Sequence, residues 1–145
     1  MAEEKKDPWL NYLALTTVIL AVCATLSTFK GGGFSTRSVI SQTQASDQWA
    51  FFQAKSVKGN LYQIQREKLQ FELDTLPANT PETTRQLYHA KLTEYAQKIQ
   101  KYDTEKADIQ KEAKRLEAVR DDAQQLGQPF GLAVIFLQVA ILLSS

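Results

Sequence analysis

Few residues in this chain have the chemistry of a reactive site. His89 is the only histidine and Cys23 the only cysteine among 145 residues. A metal centre or a nucleophile–base pair needs several such groups converging. His89 has no cysteine nearby and no Glu-x-x-His partner, so it reads as a structural or surface residue. Cys23 lies in an apolar run, where a thiol is a small packing group. One cysteine excludes an intrachain disulfide and leaves the redox compartment open. Gly31-Gly32-Gly33 lacks the Gly-Lys-Ser/Thr that makes a phosphate loop. The expected catalytic, cofactor and metal residues are therefore none, and the chain reads as non-enzymatic. The remaining polar cluster is Gln44, Asp47 and Gln48, within SQTQASDQ at 41–48. Spacings of three and four put Gln44 beside both others on a helix. Ringed in several copies, they would line a polar channel. The preferred reading is a solvated face or hydrogen bonds between subunits.

The elements that must carry these residues are helical. Trp9–Phe29, WLNYLALTTVILAVCATLSTF, is 21 residues without a charge. Such a helix rises about 31 Å, roughly the hydrocarbon thickness of a bilayer. It is too long for a cleaved signal's apolar core, and an uncleaved anchor is expected after a tail at 1–8. Asp7-Pro8 reads as a cap with proline at the first helical position. Trp9, Tyr12 and Phe29 stand near its ends, as interfacial aromatics do. A second apolar run, 130–145, closes the sequence; it is slightly short for a span, rising about 24 Å. Thr17, Ala21 and Thr25 form a small-xxx-small pattern that permits close helix packing. Gln138, the polar residue of the second run, is expected to seek a threonine of the first.

Between the runs, the glycine triplet is expected to break the chain as a hinge at 30–35, with Ser35 and Thr36 as caps for the next helix. One helix then spans 36–76 and another 81–126, joined by a tip at 77–80. Thr80-Pro81-Glu82 reads as cap, proline and first-turn acid. Gly127 and Pro129 read as a stop. Two helices of similar length whose outer ends both meet apolar runs predict an antiparallel hairpin. The fold class is all-α: two transmembrane helices flanking a long, coiled-coil-like antiparallel hairpin.

The second hairpin helix carries a 3–4 stripe: Leu92, Tyr95, Ile99, Tyr102, Ile109, Ala113, Leu116, Ala123 and Leu126. Lys106 occupies a seam position and Val119 marks a register shift. Glu94 and Lys98 form a favourable i,i+4 pair. The first hairpin helix has more than one apolar stripe: Val57, Leu61, Ile64 and Phe71, and also Tyr62, Leu69, Leu73 and Leu76. Two apolar faces imply two neighbours. The expected partner or oligomer interface is Trp49, Phe52, Tyr62, Leu69, Leu73 and Leu76.

The stretches WLNYLALTTVILAVCATLSTFKGGG and STRSVISQTQASDQWAFFQAKSVKGNLYQIQREKL strongly resemble the bacterial membrane proteins grouped as the domain of unknown function 4337 family. The run Asn11–Lys55 is the specific part. The resemblance implies an inner-membrane protein with one N-terminal span, a long helical middle and further C-terminal spans. Members typically continue into a third span, so a piece of a longer chain is expected. No activity or functional residue is implied.

Seventeen basic and sixteen acidic residues nearly cancel, which removes the field a nucleic-acid partner needs. The expected partners are the lipid bilayer and either sister copies or another membrane complex. The leading expectation is a membrane-anchored helical scaffold or accessory subunit. The alternative is a homo-oligomeric channel lined by Gln44, Asp47 and Gln48. Lys5, Lys6, Lys30 and Arg37 flank the first run; the preferred orientation places the hairpin in the periplasm.

Overall fold

The structure, a computed structural model, describes residues 8–144. The expected tail, the Asp7 cap, Lys5, Lys6 and Ser145 lie outside the described residues. Two helices make the fold: α1, Pro8–Asp74, and α2, Glu82–Ser144. They pack against each other as an all-α hairpin.

The expected interruptions do not form. Gly31, Gly32 and Gly33 lie inside α1, and Ser35 and Thr36 follow within the same helix rather than capping a new one. Gly127 and Pro129 lie inside α2, which continues through the second apolar run. Glycine lowers helix propensity without forbidding helix, and packing overrides it. Proline leaves one carbonyl of the preceding turn without its helix donor, a cost neighbouring structure can absorb.

The turn is built around Pro77. Its carbonyl accepts hydrogen bonds from the Thr80 amide at 3.0 Å, the Thr80 hydroxyl at 2.7 Å and the Arg85 guanidinium at 3.0 Å. Thr80 thus turns its hydroxyl back to the loop instead of capping α2. Pro81 follows, and α2 starts at Glu82 with its acid in the first turn.

The chain divides into two compact units, Thr43–Leu116 and Met1–Gln42 with Glu117–Ser145. In the first of these, α1 turns Ala45, Phe52, Gly59, Tyr62, Leu69 and Leu73 inward at heptad spacings, and Leu76 follows in the turn, half-buried. The facing stripe of α2 is Tyr88, Leu92, Tyr95, Ile99, Tyr102, Ile109, Ala113 and Leu116. Ala45 and Ala113 are buried, as are Leu73, Leu92 and Leu116. Gly59 admits the Tyr102 side chain close to its backbone: a Cβ there would stand 3.6 Å from that of Tyr102.

In the other unit the inward stripe of α1 is Leu13, Thr17, Leu20, Ala24, Ser27, Gly31, Phe34, Ser38 and Ser41. It faces Ala123, Gly127, Phe130, Val134, Leu137, Ile141 and Ser144. Arg120, at the head of that stripe, donates to Gln42 Oε1 at 2.6 Å and to Asp121 at 2.7 Å. Leu126, expected on the seam, is exposed, because the 3–4 alternation runs through Ala123 and Gly127. Val119 therefore marks no register shift; Arg120 holds the seam position.

Both helices contain a stretch long and apolar enough to cross a membrane, with mean hydropathy 1.9 in α1 and 2.0 in α2. Only 6% of the first stretch and none of the second is buried within the protein. A core helix of a soluble protein would be mostly buried, so this exposure is compatible with a membrane location.

Candidate functional site

Helix α1 between residues 43 and 74 has two opposite apolar faces, and the structure sorts them. One face turns into the hairpin. Tyr62 lies between Tyr95 at 5.6 Å and Tyr102 at 5.9 Å, ring centre to ring centre. The Lys98 ammonium sits 4.9 Å from the Tyr62 ring centre, a cation–π contact. Trp49 meets Phe52 edge-on at 5.5 Å. Leu73 is buried, and Leu69 and Leu76 are half-buried.

The residues expected to form an outer interface therefore belong to the hairpin's own seam. Trp49, Phe52, Tyr62, Leu69, Leu73 and Leu76 follow the same 3–4 phase as Gly59, which is why they face α2. The outward face is Val57, Leu61, Ile64 and Phe71, between 53% and 68% exposed. Steps of four, three and seven keep these four in line on one helix face. Ala50 and Ala54 extend the face toward the N-terminus and Lys68 interrupts it. The sequence shows both stripes; what it lacks is a sign of which one α2 covers.

Ion pairs edge the inner seam. Lys55 Nζ lies 2.6 Å from Glu105 Oε2, and 5.6 Å from the Tyr102 ring centre. The Lys55 ammonium holds the Glu105 carboxyl below its ordinary range, and Glu105 raises Lys55 in turn. On α2, Glu94 accepts hydrogen bonds from Lys91 at 2.6 Å and Lys98 at 2.7 Å. Those two bonds bring its carboxyl down to about 2. Arg115 grips Glu112 through two nitrogens and lowers it likewise.

The polar segment divides. Gln48 is half-buried at a seam position, whereas Gln44 and Asp47 are exposed. Of Thr17, Ala21 and Thr25, Thr17 alone meets α2, sharing a hydrogen bond of 3.2 Å with Ser144. Ala21 and Thr25 are exposed, because steps of four drift off a 3.5-residue seam. Gln138 is exposed and bonds to no threonine of the first run. His89 and Cys23 are exposed. Among the described residues no group of three His, Cys, Asp or Glu side chains could hold a metal ion.

A helical hairpin with an unpaired apolar seam and membrane-length apolar stretches on both helices is the class of protein that this geometry defines. The chain belongs to the family described as a domain of unknown function, DUF4337, whose model matches residues 9–145. No curated protein and no solved structure matches it.

Proposed function

We propose that this protein is a non-enzymatic, membrane-anchored helical scaffold whose hairpin docks onto sister copies or onto another membrane complex. The observation that carries this reading is the outward seam Val57, Leu61, Ile64 and Phe71. Four large apolar side chains in heptad line, opposite a seam already filled, suit a further helix laid lengthwise along α1. Isolated exposed apolar residues are common on soluble proteins, but several aligned on one face, here broken only by Lys68, suit a contact surface. The apolar runs would anchor this surface in a bacterial inner membrane, with the hairpin in the periplasm.

The test is mass determination after gentle detergent extraction of the native protein, with identification of everything that co-purifies. Leu61→Asp with Ile64→Asp should leave helicity intact, because neither side chain faces α2, and should dissolve the assembly. Native mass unchanged by that double substitution would remove the basis for the proposal. A reporter fused at Asn79 that works only in the cytoplasm would reverse the proposed orientation. The second reading is a homo-oligomeric channel, supported by the exposure of Gln44 and Asp47 on α1. For it, Asp47→Ala should change ion flux in liposomes, and a protein silent in that assay would exclude it.

A further inference from the structure

The first apolar run ends at Phe29, and the next residue is Lys30. From Pro8 to Ser46 on α1, and from Ala123 to Ser144 on α2, Lys30 and Arg37 are the only charged residues. Both are basic. Among the described residues neither side chain has an ion pair or a hydrogen bond. Arg120 of the same unit differs, because Asp121 answers its charge at 2.7 Å.

The two cations border one concavity of about 560 Å³ on α1, between Thr28 and Arg37. A spacing of seven is two helical turns, so they share a face about 10 Å apart along the axis. Gly33 stands between them on that face, and nothing lies within 4 Å of where its Cβ would be. Helical side chains leave the backbone leaning toward the N-terminus, so Arg37 starts back toward Gly33. Lys30 reaches the other way: its ammonium lies 5.6 Å from the ring centre of Phe34, one turn ahead. Phe34 is itself held by stacking on Phe130 at 5.7 Å. Two cations thus approach each other over bare backbone, and no carboxylate of the described residues meets them. Phe29, 83% exposed, borders the same concavity on its apolar side.

We infer that this concavity holds the phosphate of an anionic phospholipid between Lys30 and Arg37, with an acyl chain along Phe29 and the apolar run. The inference rests on reading the apolar runs as membrane anchors. Charge sets the sign of the ligand, since two cations without an acid select an anion. A guanidinium offers paired N–H donors that match phosphate oxygens, and an ammonium adds a second point charge. Position sets its kind. The cations stand at the end of an apolar stretch of bilayer length, the level at which lipid headgroups lie. A soluble anion would gain nothing from the exposed Phe29 ring. A zwitterionic headgroup would bring its own cation into the concavity, which favours a headgroup with net negative charge. Gly33 lets the phosphate come down to the helix, where a side chain would hold it off.

The test uses the full chain in nanodiscs of equal parts phosphatidylglycerol and phosphatidylcholine with the same acyl chains, and native mass spectrometry counts the lipids retained. Wild type should prefer phosphatidylglycerol by roughly tenfold or more, and Lys30→Gln and Arg37→Gln should each cut that preference by roughly fivefold, the worth of one basic residue at an anionic surface. Gly33→Leu places its side chain in open space within the chain, so its helicity and unfolding temperature should hold while lipid retention falls severalfold. Arg66→Gln, a cation of the other unit, should change nothing. Equal retention of the two lipids by wild type would overturn the inference. So would a preference that survives Lys30→Gln combined with Arg37→Gln, or one lost equally in Arg66→Gln. Displacement of the lipid by inorganic phosphate would assign the concavity to a soluble anion and overturn the lipid as its occupant. A chain washed from membranes by alkaline carbonate would overturn the anchoring and the site together. A chain that stays embedded without a lipid preference would overturn the site alone.

Discussion

Phe34 and Phe130 stack at 5.7 Å, and each presses its Cβ onto a glycine of the opposite helix. Phe130 covers Gly31 and Phe34 covers Gly127, so the contact is reciprocal: on each helix the glycine stands three residues before the phenylalanine. A Cβ added to Gly31 would lie 3.1 Å from that of Phe130, and one on Gly127 would lie 3.2 Å from that of Phe34. Both separations are tighter than ordinary contact. The ring pair contributes about 0.5–1.5 kcal/mol beyond its buried area.

The glycines at this level should consequently separate into two kinds. Gly31→Val and Gly127→Val push the helices apart and should destabilise by about 1–3 kcal/mol, the usual cost of overpacking. Gly33→Ala meets nothing within 4 Å and should be neutral or stabilising by up to about 1 kcal/mol, from helix propensity. Thermal unfolding followed by circular dichroism in mild detergent ranks the three. Equal behaviour would mean that the reciprocal contact is not formed.

Leucines on the two faces of α1 should part in the same way. Leu73 is 7% exposed against α2, whereas Leu61 is 53% exposed. Leu73→Asp buries an unpaired carboxylate and should lower the unfolding free energy by on the order of 3 kcal/mol or more. Leu61→Asp should change it by less than about 0.5 kcal/mol, as surface substitutions do. A reversed order would exchange the two faces.

Acid should loosen α2 through Glu94. Its carboxyl is held at about 2 by Lys91 and Lys98, well below the unfolded value of about 4.3. Because the folded value is the lower one, the stabilisation is fully present above the unfolded value. It disappears as pH falls from about 4.5 through 2. Helicity measured across that window should fall less steeply in Glu94→Gln, which has no proton to take up. Titration curves that coincide would show that Glu94 is not held by its lysines.

The Lys55–Glu105 pair bridges the helices, with about a third of each side chain exposed. A double-mutant cycle with Lys55→Met and Glu105→Gln should give only a small coupling, as partly solvated pairs do. That coupling should shrink as salt is raised. A large coupling that is insensitive to salt would mark the pair as desolvated.

The second helix was the readable one. Leu92, Tyr95, Ile99, Tyr102, Ile109 and Leu116 are large and apolar, so their 3–4 spacing stands out in the sequence, and the structure turns them inward. Pro77 and Pro81 bracket the turn equally plainly. The seam of α1 was hidden because small or polar residues occupy it: Ser27, Gly31, Ser38, Ser41 and Ala45. None signals burial by type, yet Ser41 and Ala45 are among the least exposed residues. The outward apolar face competes with the inward one in the sequence, so residue type alone does not show that Trp49, Phe52, Tyr62, Leu69, Leu73 and Leu76 turn toward α2. Glycine and proline misled at Gly31–Gly33 and Gly127–Pro129, where local propensity argued for a break. Helix-to-helix packing required close approach there instead.

The hydrogen bond between Thr17 and Ser144 joins residues 127 positions apart, whereas Tyr62 and Tyr95 meet across a short stretch centred on Pro77. Loop-closure entropy grows with that separation, so pairing near the turn is the cheaper first step. During synthesis the first apolar run emerges long before the second exists. Thr17 returns its own hydroxyl to Leu13 at 2.9 Å, a bond available within one helix before any partner arrives. The first apolar run therefore never depends on the second to satisfy this hydroxyl: the bond to Leu13 persists beside the one to Ser144.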